Sequence, residues 1–136
     1  MKHHLSVELE FDFLLFGLSC HEKEYRLAWF INKALGLLLS CEDDLKVSQK
    51  SGESSHAFYR HVDEENELQF VLLQNRTSEG WLLPEFKEID YFIKVEAETE
   101  FDDSEFLQEL KKIPVVNACF KFNPSQLKHK ENLIFD

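Results

Sequence analysis

Strict alternation of apolar and polar side chains constrains the fold of this chain more than any other feature of its sequence. In residues 5–16, leucine, valine and phenylalanine occupy the odd positions, and serine and acidic residues occupy the even positions up to residue 12. Successive side chains of a β-strand point to opposite faces, so this pattern predicts a strand with one buried face. We expect Gly17 and Ser19 to end it.

A second alternating segment, residues 88–97, predicts another half-buried strand. Its odd positions carry isoleucine, tyrosine and valine, and we expect these side chains to face the core. Its even positions are mainly charged and are expected to point outward: Glu88, Asp90, Phe92, Lys94 and Glu96.

Two other segments have helical period. Residues 22–39 predict a helix with one apolar stripe, formed by Leu27, Ile31, Ala34, Leu35 and Leu38. A second helix is predicted to begin near Asp102, because Asp102 and Glu105 have the spacing of a capping box, and to stop before Pro114.

Turn-forming residues divide the rest of the chain into short elements. We predict strands at residues 44–49, 56–63, 67–75 and 115–122. Asn123 and Pro124 predict a short helical turn over residues 125–128. The apolar residues 132–135 could pair with a sheet edge.

The resulting order is β-α-β-β-β-β-α-β within one domain, residues 1–136. Strands joined by tight loops are mostly antiparallel, and two amphipathic helices fit on one face of such a sheet. The sequence therefore predicts a two-layer α+β domain.

The formal charge of −11 argues against nucleic acid and anionic membranes as partners, since both select a positive surface. No apolar run approaches the ~20 residues of a membrane helix. Cys20 and Cys41 bracket the first predicted helix, which would hold them ~27–30 Å apart, whereas a disulfide needs Cα atoms within ~7 Å. Reduced thiols and a cytoplasmic location follow as expectations.

The turn before the second alternating strand has a recognisable pattern. Residues 83–91 read Leu-Pro-Glu-Phe-Lys-Glu-Ile-Asp-Tyr. This segment resembles the signature of the bacterial IPExxxVDY family, with Leu for the first Ile and Ile for the Val. Residues 12–37, 112–114 and 132–135 also resemble that family. No activity, ligand or partner is assigned to the family, so the resemblance implies no chemistry.

Glu85, Asp90 and Tyr91 are the first candidates for a chemical site. With His61, they could form an acid–base or small-ligand site in a cleft beside the Pro84 turn, and this is our alternative hypothesis. Adjacent strand residues point to opposite faces, however, which separates an aspartate from the tyrosine that follows it. The structural interpretation is that Pro84 fixes the turn and Glu85 accepts backbone N–H bonds across it. Asp90 would then fix a neighbouring loop, and Tyr91 would fill the core.

The common patterns of metal and catalytic sites are missing from the sequence. His56 and His61 are five residues apart in a predicted strand and so face opposite sides. There is no Cys-x-x-Cys, no Gly-x-Ser-x-Gly and no phosphate-binding glycine loop. We predict no metal, no cofactor and no catalytic residue, and expect a protein that is not an enzyme.

Trp29 falls on the polar side of the first predicted helix, beside Tyr25, Arg26 and Lys33. Tryptophan, tyrosine and arginine dominate binding hot spots, so this face could contact a partner protein or a second copy of the chain. The alternative is that residues 133–135 fold over the tryptophan and bury it. Our leading hypothesis is a non-enzymatic protein-interaction domain.

Overall fold

The computed structural model describes residues 13–135. Its elements, in chain order, are β1 (Leu14–Ser19), α1 (Glu24–Leu35), β2 (Ser40–Gln49), β3 (Gly52–Asp63), β4 (Leu68–Gln74), β5 (Arg76–Thr77), β6 (Gly80–Trp81), β7 (Tyr91–Ala97), α2 (Asp103–Lys111), β8 (Ala118–Phe122) and two 3-10 helices, Pro124–Gln126 and Lys130–Leu133.

Six strands form one sheet in the order β2-β3-β4-β7-β1-β8, and β5 and β6 pair as a separate two-stranded hairpin. Every pairing among these strands is antiparallel. The α+β class is confirmed. The element order is also confirmed, since only the two-residue strands β5 and β6 were not predicted.

Both helices pack on one face of the sheet, as the two apolar stripes predict. Leu27 and Ile31 of α1 and Phe106 and Leu110 of α2 are buried in one apolar cluster with side chains of the sheet. The Phe106 ring meets Phe16 of β1 edge to face at 5.0 Å between centroids. This helix-side core is formed by side chains at regular helical and strand spacing.

The opposite face of the sheet is also covered, although no helix lies on it. A second apolar cluster joins side chains of the sheet to the 82–89 loop and to the C-terminal segment, residues 124–135. Phe92 is fully buried there, and Lys94 is only 3% exposed. The prediction that these two side chains point into solvent is therefore wrong, because irregular segments cover that face of the sheet. The uninterrupted apolar run of β4, Phe70 to Leu73, is typical of a strand buried on both sides.

The predicted strand at residues 5–16 lies mostly outside the described residues. The strand continues through Gly17 and ends at Ser19, so of the two predicted breaks the one at Gly17 is wrong. Gly17 pairs with both neighbouring strands. A Cβ atom there would lie 2.5 Å from the Phe122 ring, so glycine permits a close approach inside the strand instead of ending it.

Helix α1 is shorter than the predicted span of 22–39. Gly36 adopts the left-handed conformation, φ 67°, and its N–H donates to the Asn32 carbonyl, which ends the helix. The Asn32 side chain then bonds both the N–H and the carbonyl of Leu39. As a result, Leu38 leaves the apolar stripe and is 76% exposed. Ala34, also assigned to the stripe, is exposed.

The capping residues behave as predicted, but the C-terminal end does not form a strand. Asp102 accepts the N–H of Glu105 at 3.0 Å, and Asn123 accepts the N–H of Ser125 at 3.1 Å. Residues 130–133 form a 3-10 helix over the second cluster. The predicted pairing of residues 132–135 with a sheet edge is therefore wrong.

Candidate functional site

The exposed face of α1 is the most conspicuous apolar feature of the described surface. Tyr25 is 59% exposed and Trp29 is 55% exposed. With Lys33 they stand four residues apart along the helix and so share one side of it. The Lys33 ammonium lies 5.0 Å from the centre of the Trp29 ring, within the range of a cation–π contact.

Neighbouring side chains order this face further. Arg26 donates to the carboxylate of Glu22 at 2.7 Å, one turn before it. The Arg26 guanidinium also lies 5.5 Å from the centre of the Phe30 ring. Phe30 and Trp29 meet edge to face, with centroids 5.0 Å apart. The four predicted contact residues thus lie together on the helix, and contacts with neighbouring side chains order Arg26, Trp29 and Lys33.

The C-terminal tail does not cover Trp29, so that alternative is wrong. Leu133 is fully buried in the second cluster, on the other face of the sheet. Phe135 packs edge to face on Phe58, with centroids 5.1 Å apart. The ammonium of Lys94 donates to the Leu133 carbonyl at 2.7 Å and lies 4.2 Å from the centre of the Phe135 ring.

Glu85 accepts backbone N–H groups, but they belong to the C-terminal segment and not to the Pro84 turn, so the predicted bonds across that turn are wrong. Its carboxylate accepts the backbone N–H groups of Lys128 at 2.9 Å and His129 at 3.2 Å, and it meets Nδ1 of the His129 ring at 2.7 Å. Burial opposes ionisation, but these hydrogen bonds outweigh it and lower the pKa of Glu85. The side chain joins two segments that cover the second cluster.

Asp90 and Tyr91 both hold the segment that follows β1. The Asp90 carboxylate accepts the N–H of Cys20 at 2.8 Å and forms an ion pair with Arg76. The Tyr91 hydroxyl donates to the Glu22 carbonyl at 2.6 Å. Burial raises the pKa of Tyr91, so the phenol stays protonated at neutral pH.

The structure does not bring the alternative polar cluster together. Asp90 and Tyr91 border an open depression of about 310 Å³, which neither Glu85 nor His61 lines. Nδ1 of His61 instead accepts the N–H of Leu38 at 2.7 Å, at the loop after α1. Glu85 lies against the C-terminal segment. An acid–base centre that uses all four side chains has no geometric support.

Asn75 is an important buried residue that the sequence analysis missed. Its side chain accepts the N–H of Leu83 at 2.8 Å and donates to the carbonyls of Phe86 and Ile89 at 2.9 and 2.7 Å. Its backbone N–H donates to the Asp90 carbonyl. One side chain thus organises the whole Pro84 turn. The sequence signal that could have revealed it is an amide residue directly after the apolar run of β4.

A buried serine–histidine pair was also missed. Nε2 of His56 lies 2.6 Å from the Ser54 hydroxyl, and Nδ1 lies 2.9 Å from the Gln74 carbonyl. Both residues are fully buried. Burial lowers the pKa of His56, so the ring is neutral, with Nδ1–H donating to the carbonyl and Nε2 accepting from the serine. The pair joins strands and has no access to a substrate.

Residues 13–135 contain neither a cluster of metal-binding side chains nor a helix that could span a membrane. No three histidine, cysteine, aspartate or glutamate side chains among them gather as a metal ion would require. None of their helices has the length and apolar character needed to cross a membrane. The three cysteines are free; Cys20 and Cys119 are buried, and burial raises the pKa of Cys119 to about 12.

Comparisons with protein-family models and with curated proteins find no match to this chain. The resemblance to the IPExxxVDY signature therefore remains a prediction from the sequence.

Proposed function

We propose that this chain is a non-enzymatic interaction domain that binds a partner protein through the exposed face of α1, formed by Tyr25, Arg26, Trp29 and Lys33. The observation that carries the proposal is the pair of large aromatic rings, Tyr25 and Trp29, each more than half exposed on adjacent turns of one helix.

The arrangement of this face supports binding energetically. Tryptophan, tyrosine and arginine supply most of the energy at protein interfaces, and burying an aromatic ring removes a large apolar area from water. The contacts of Trp29 with Lys33 and Phe30 restrict its side chain before any partner arrives. Less side-chain entropy is then lost on binding.

The charge of this face indicates the chemistry of the partner. Arg26 and Lys33 flank the rings on a chain whose formal charge is −11. A partner segment that offers carboxylates beside apolar side chains would complement it. We infer that such a segment, from a different protein, is the occupant.

A second copy of the chain is a weaker occupant. Two copies, each with a formal charge of −11, would repel one another, whereas the proposed partner needs carboxylates only in the segment that binds.

We further propose that the chain acts in the cytoplasm and belongs to the IPExxxVDY family. Three free cysteines, two of them buried, suit a reducing compartment. Glu85, Asp90 and Tyr91 of the motif all make contacts that support the fold. Residues shared across a family for structural reasons would do the same.

The experiment replaces Trp29 by alanine and uses Phe120→Ala as the matched control. Phe120 is another half-exposed ring, on the edge strand β8 and away from α1. Partners are captured quantitatively from cells that produce the protein, and sedimentation gives the solution mass. We expect Trp29→Ala and Lys33→Glu to weaken a specific acidic partner by about 2 kcal/mol, roughly thirtyfold. Phe120→Ala should retain that partner.

The proposal fails if folded Trp29→Ala, checked by circular dichroism, captures the same partners at the same affinity as the wild type. A concentration-dependent mass that Trp29→Ala abolishes would instead assign this face to self-association and overturn the choice of a different protein.

A further inference from the structure

A cleft beside the second apolar cluster is built by four separate segments of the chain. Its lining comes from residues 47–51 at the end of β2 and in the following turn, from residues 79–81 of the small hairpin, from Pro84, and from His129 and Asn132 of the C-terminal segment. Its volume is about 420 Å³. Small-molecule sites usually occupy about 300–1,000 Å³ and lie where several elements converge.

Hydrogen bonds between these segments hold the cleft open in one shape. The Gln49 amide donates to the Trp81 carbonyl at 3.0 Å and so joins β2 to the small hairpin. The Asn132 amide donates to the Leu82 carbonyl at 2.8 Å and joins the C-terminal segment to the loop before Pro84. A preformed cleft of this kind loses little conformational entropy when a ligand enters.

The lining carries polar groups that the rest of the described structure does not use. The indole N–H of Trp81 is buried and has no hydrogen-bond partner among residues 13–135. The Lys50 ammonium makes no ion pair or hydrogen bond with them. Nδ1 of His129 is taken by Glu85, which leaves Nε2 of the ring without a protein partner in the described part of the chain.

Lys50 favours a negatively charged ligand, because it is the one ammonium group of the lining. The Lys87 ammonium lies outside the lining, 5.2 Å from the centre of the Trp81 ring. The one carboxylate of the lining, Glu79, already accepts the N–H of Ser55 at 3.0 Å. Trp81 and Pro84 add a flat apolar surface of the kind on which rings pack.

We propose that this cleft binds a small carboxylate that carries an aromatic or apolar ring. The ring packs on Trp81 and Pro84, and the carboxylate is met by the ammonium of Lys50. The site uses none of the α1 residues, so this proposal can be correct or wrong whatever the outcome for the proposed partner surface.

The test uses the intrinsic fluorescence of Trp81. The chain has two tryptophans, so Trp29→Phe leaves Trp81 as the one reporter. Benzoate and phenylacetate are titrated into this variant, with benzamide and phenylacetamide as the uncharged counterparts. We expect saturable fluorescence changes with the acids and affinities at least about tenfold weaker with the amides, because the charge-assisted contacts are lost.

A pair of lysine variants in the same background sharpens the test. Lys50→Gln is expected to weaken acid binding about five- to tenfold. Lys46→Gln is the matched control. Lys46 lies on β2, four residues before Lys50, but it bonds the Ser55 hydroxyl at 2.8 Å and does not line the cleft. It should bind the acids as the parent variant does. Backbone amide shifts should move at residues 79–81 and 129–132.

Three results would overturn the proposal. The first is equal response to acids and amides, the second is equal affinity of the Lys50→Gln and Lys46→Gln variants, and the third is a set of shifted amides that lies away from the cleft. Each is separable from the partner proposal, which is judged by Trp29→Ala and Phe120→Ala.

Discussion

On one face of the sheet, two amphipathic helices bury apolar side chains at regular spacing; on the other face, irregular segments are held by a few buried polar side chains. The helix-side contacts are numerous and mostly apolar. The opposite cover depends on Asn75, Glu85 and Lys94, each of which bonds backbone atoms of a distant segment. The comparison teaches that polar substitutions should have their largest effects on the face without helices.

Replacement of Asn75 by alanine is the strongest way to test this difference. The change leaves the buried N–H of Leu83 and the buried carbonyl of Ile89 without a partner, while the partly buried Phe86 carbonyl keeps the Ile89 N–H. Each unsatisfied buried group costs about 1–3 kcal/mol, so we expect a loss of about 3–5 kcal/mol in the free energy of unfolding, measured by urea denaturation.

The matched control for that change is Asn117→Ala, since Asn117 is exposed and its side chain is outside the turn. It should shift the free energy of unfolding by less than about 0.5 kcal/mol. Similar losses for the two variants would show that the Pro84 turn does not depend on its central amide.

Replacement of Lys94 by methionine should have the next largest effect. The change keeps the apolar stem but removes the bond to the Leu133 carbonyl and the ion pair with Glu96, which spans 3.0 Å. We expect a loss of about 1–2 kcal/mol, since the carbonyl stays buried without a donor. Hydrogen exchange of residues 130–135 should accelerate before that of α1.

Lys111→Met is the control for the lysine change. Lys111 is exposed at the end of α2, so its removal should leave exchange in the C-terminal segment unchanged. If Lys94→Met accelerates exchange equally on both faces of the sheet, the two covers are one cooperative unit and the comparison is wrong.

The Glu85 contact gives the C-terminal cover a pH dependence. Its pKa is lowered in the folded state, so its contribution is fully present above the unfolded value of about 4.3 and is lost as the pH falls through the lower folded value. Glu85→Gln should cost about 1 kcal/mol at pH 7 and much less in acid, because the wild type then loses the same contacts.

Unfolding of the two proteins across this pH range is the measurement, and Glu88→Gln is the control. Glu88 is an exposed neighbour of the same turn and should behave as the wild type. A pH-independent difference between wild type and Glu85→Gln would show that the carboxylate contributes through shape and not through its charge.

The helix-side part of the fold could be predicted because the sequence patterns that determine it are local and periodic. The capping residue Asp102 and the apolar stripe around Leu27 and Ile31 lie within a few residues of the structure they determine. The end of α1 was missed by four residues because Gly36 and the bonds of Asn32 to Leu39 stop it, although the apolar pattern continues.

The other face could not be predicted in the same way. Period-two alternation shows that Phe92 and Lys94 share a face, but it does not show what covers that face. The covering residues, such as Leu82 and Leu133, lie in segments without a period. The Glu85–His129 contact joins positions 44 residues apart, a separation that no local pattern reveals.

For the candidate surface on α1, one prediction from the sequence was correct and another was wrong. Helical spacing correctly placed Tyr25 and Trp29 together on the outer side of α1. The idea that the tail covers them failed, because the bonds of Lys94 hold that tail on the opposite face. Asp90 lies just before β7 and Tyr91 is its first residue. Despite their adjacency, both bond the segment after β1, at the Cys20 N–H and the Glu22 carbonyl.

The smallest expected effect is that of Trp29→Ala on the free energy of unfolding. It compares an exposed ring with the buried rings of the helix-side core. More than half of this ring is exposed, so little apolar area is exposed anew on unfolding. Alanine also has the higher helix propensity, which offsets the lost contacts with Phe30 and Lys33. We expect urea denaturation to show a change within about 0.5 kcal/mol, whereas Phe106→Ala on the buried side of α2 should cost about 3–5 kcal/mol. A large loss with Trp29→Ala would mean that the ring serves the fold, and the exposed face of α1 would then no longer stand as a surface kept for a partner.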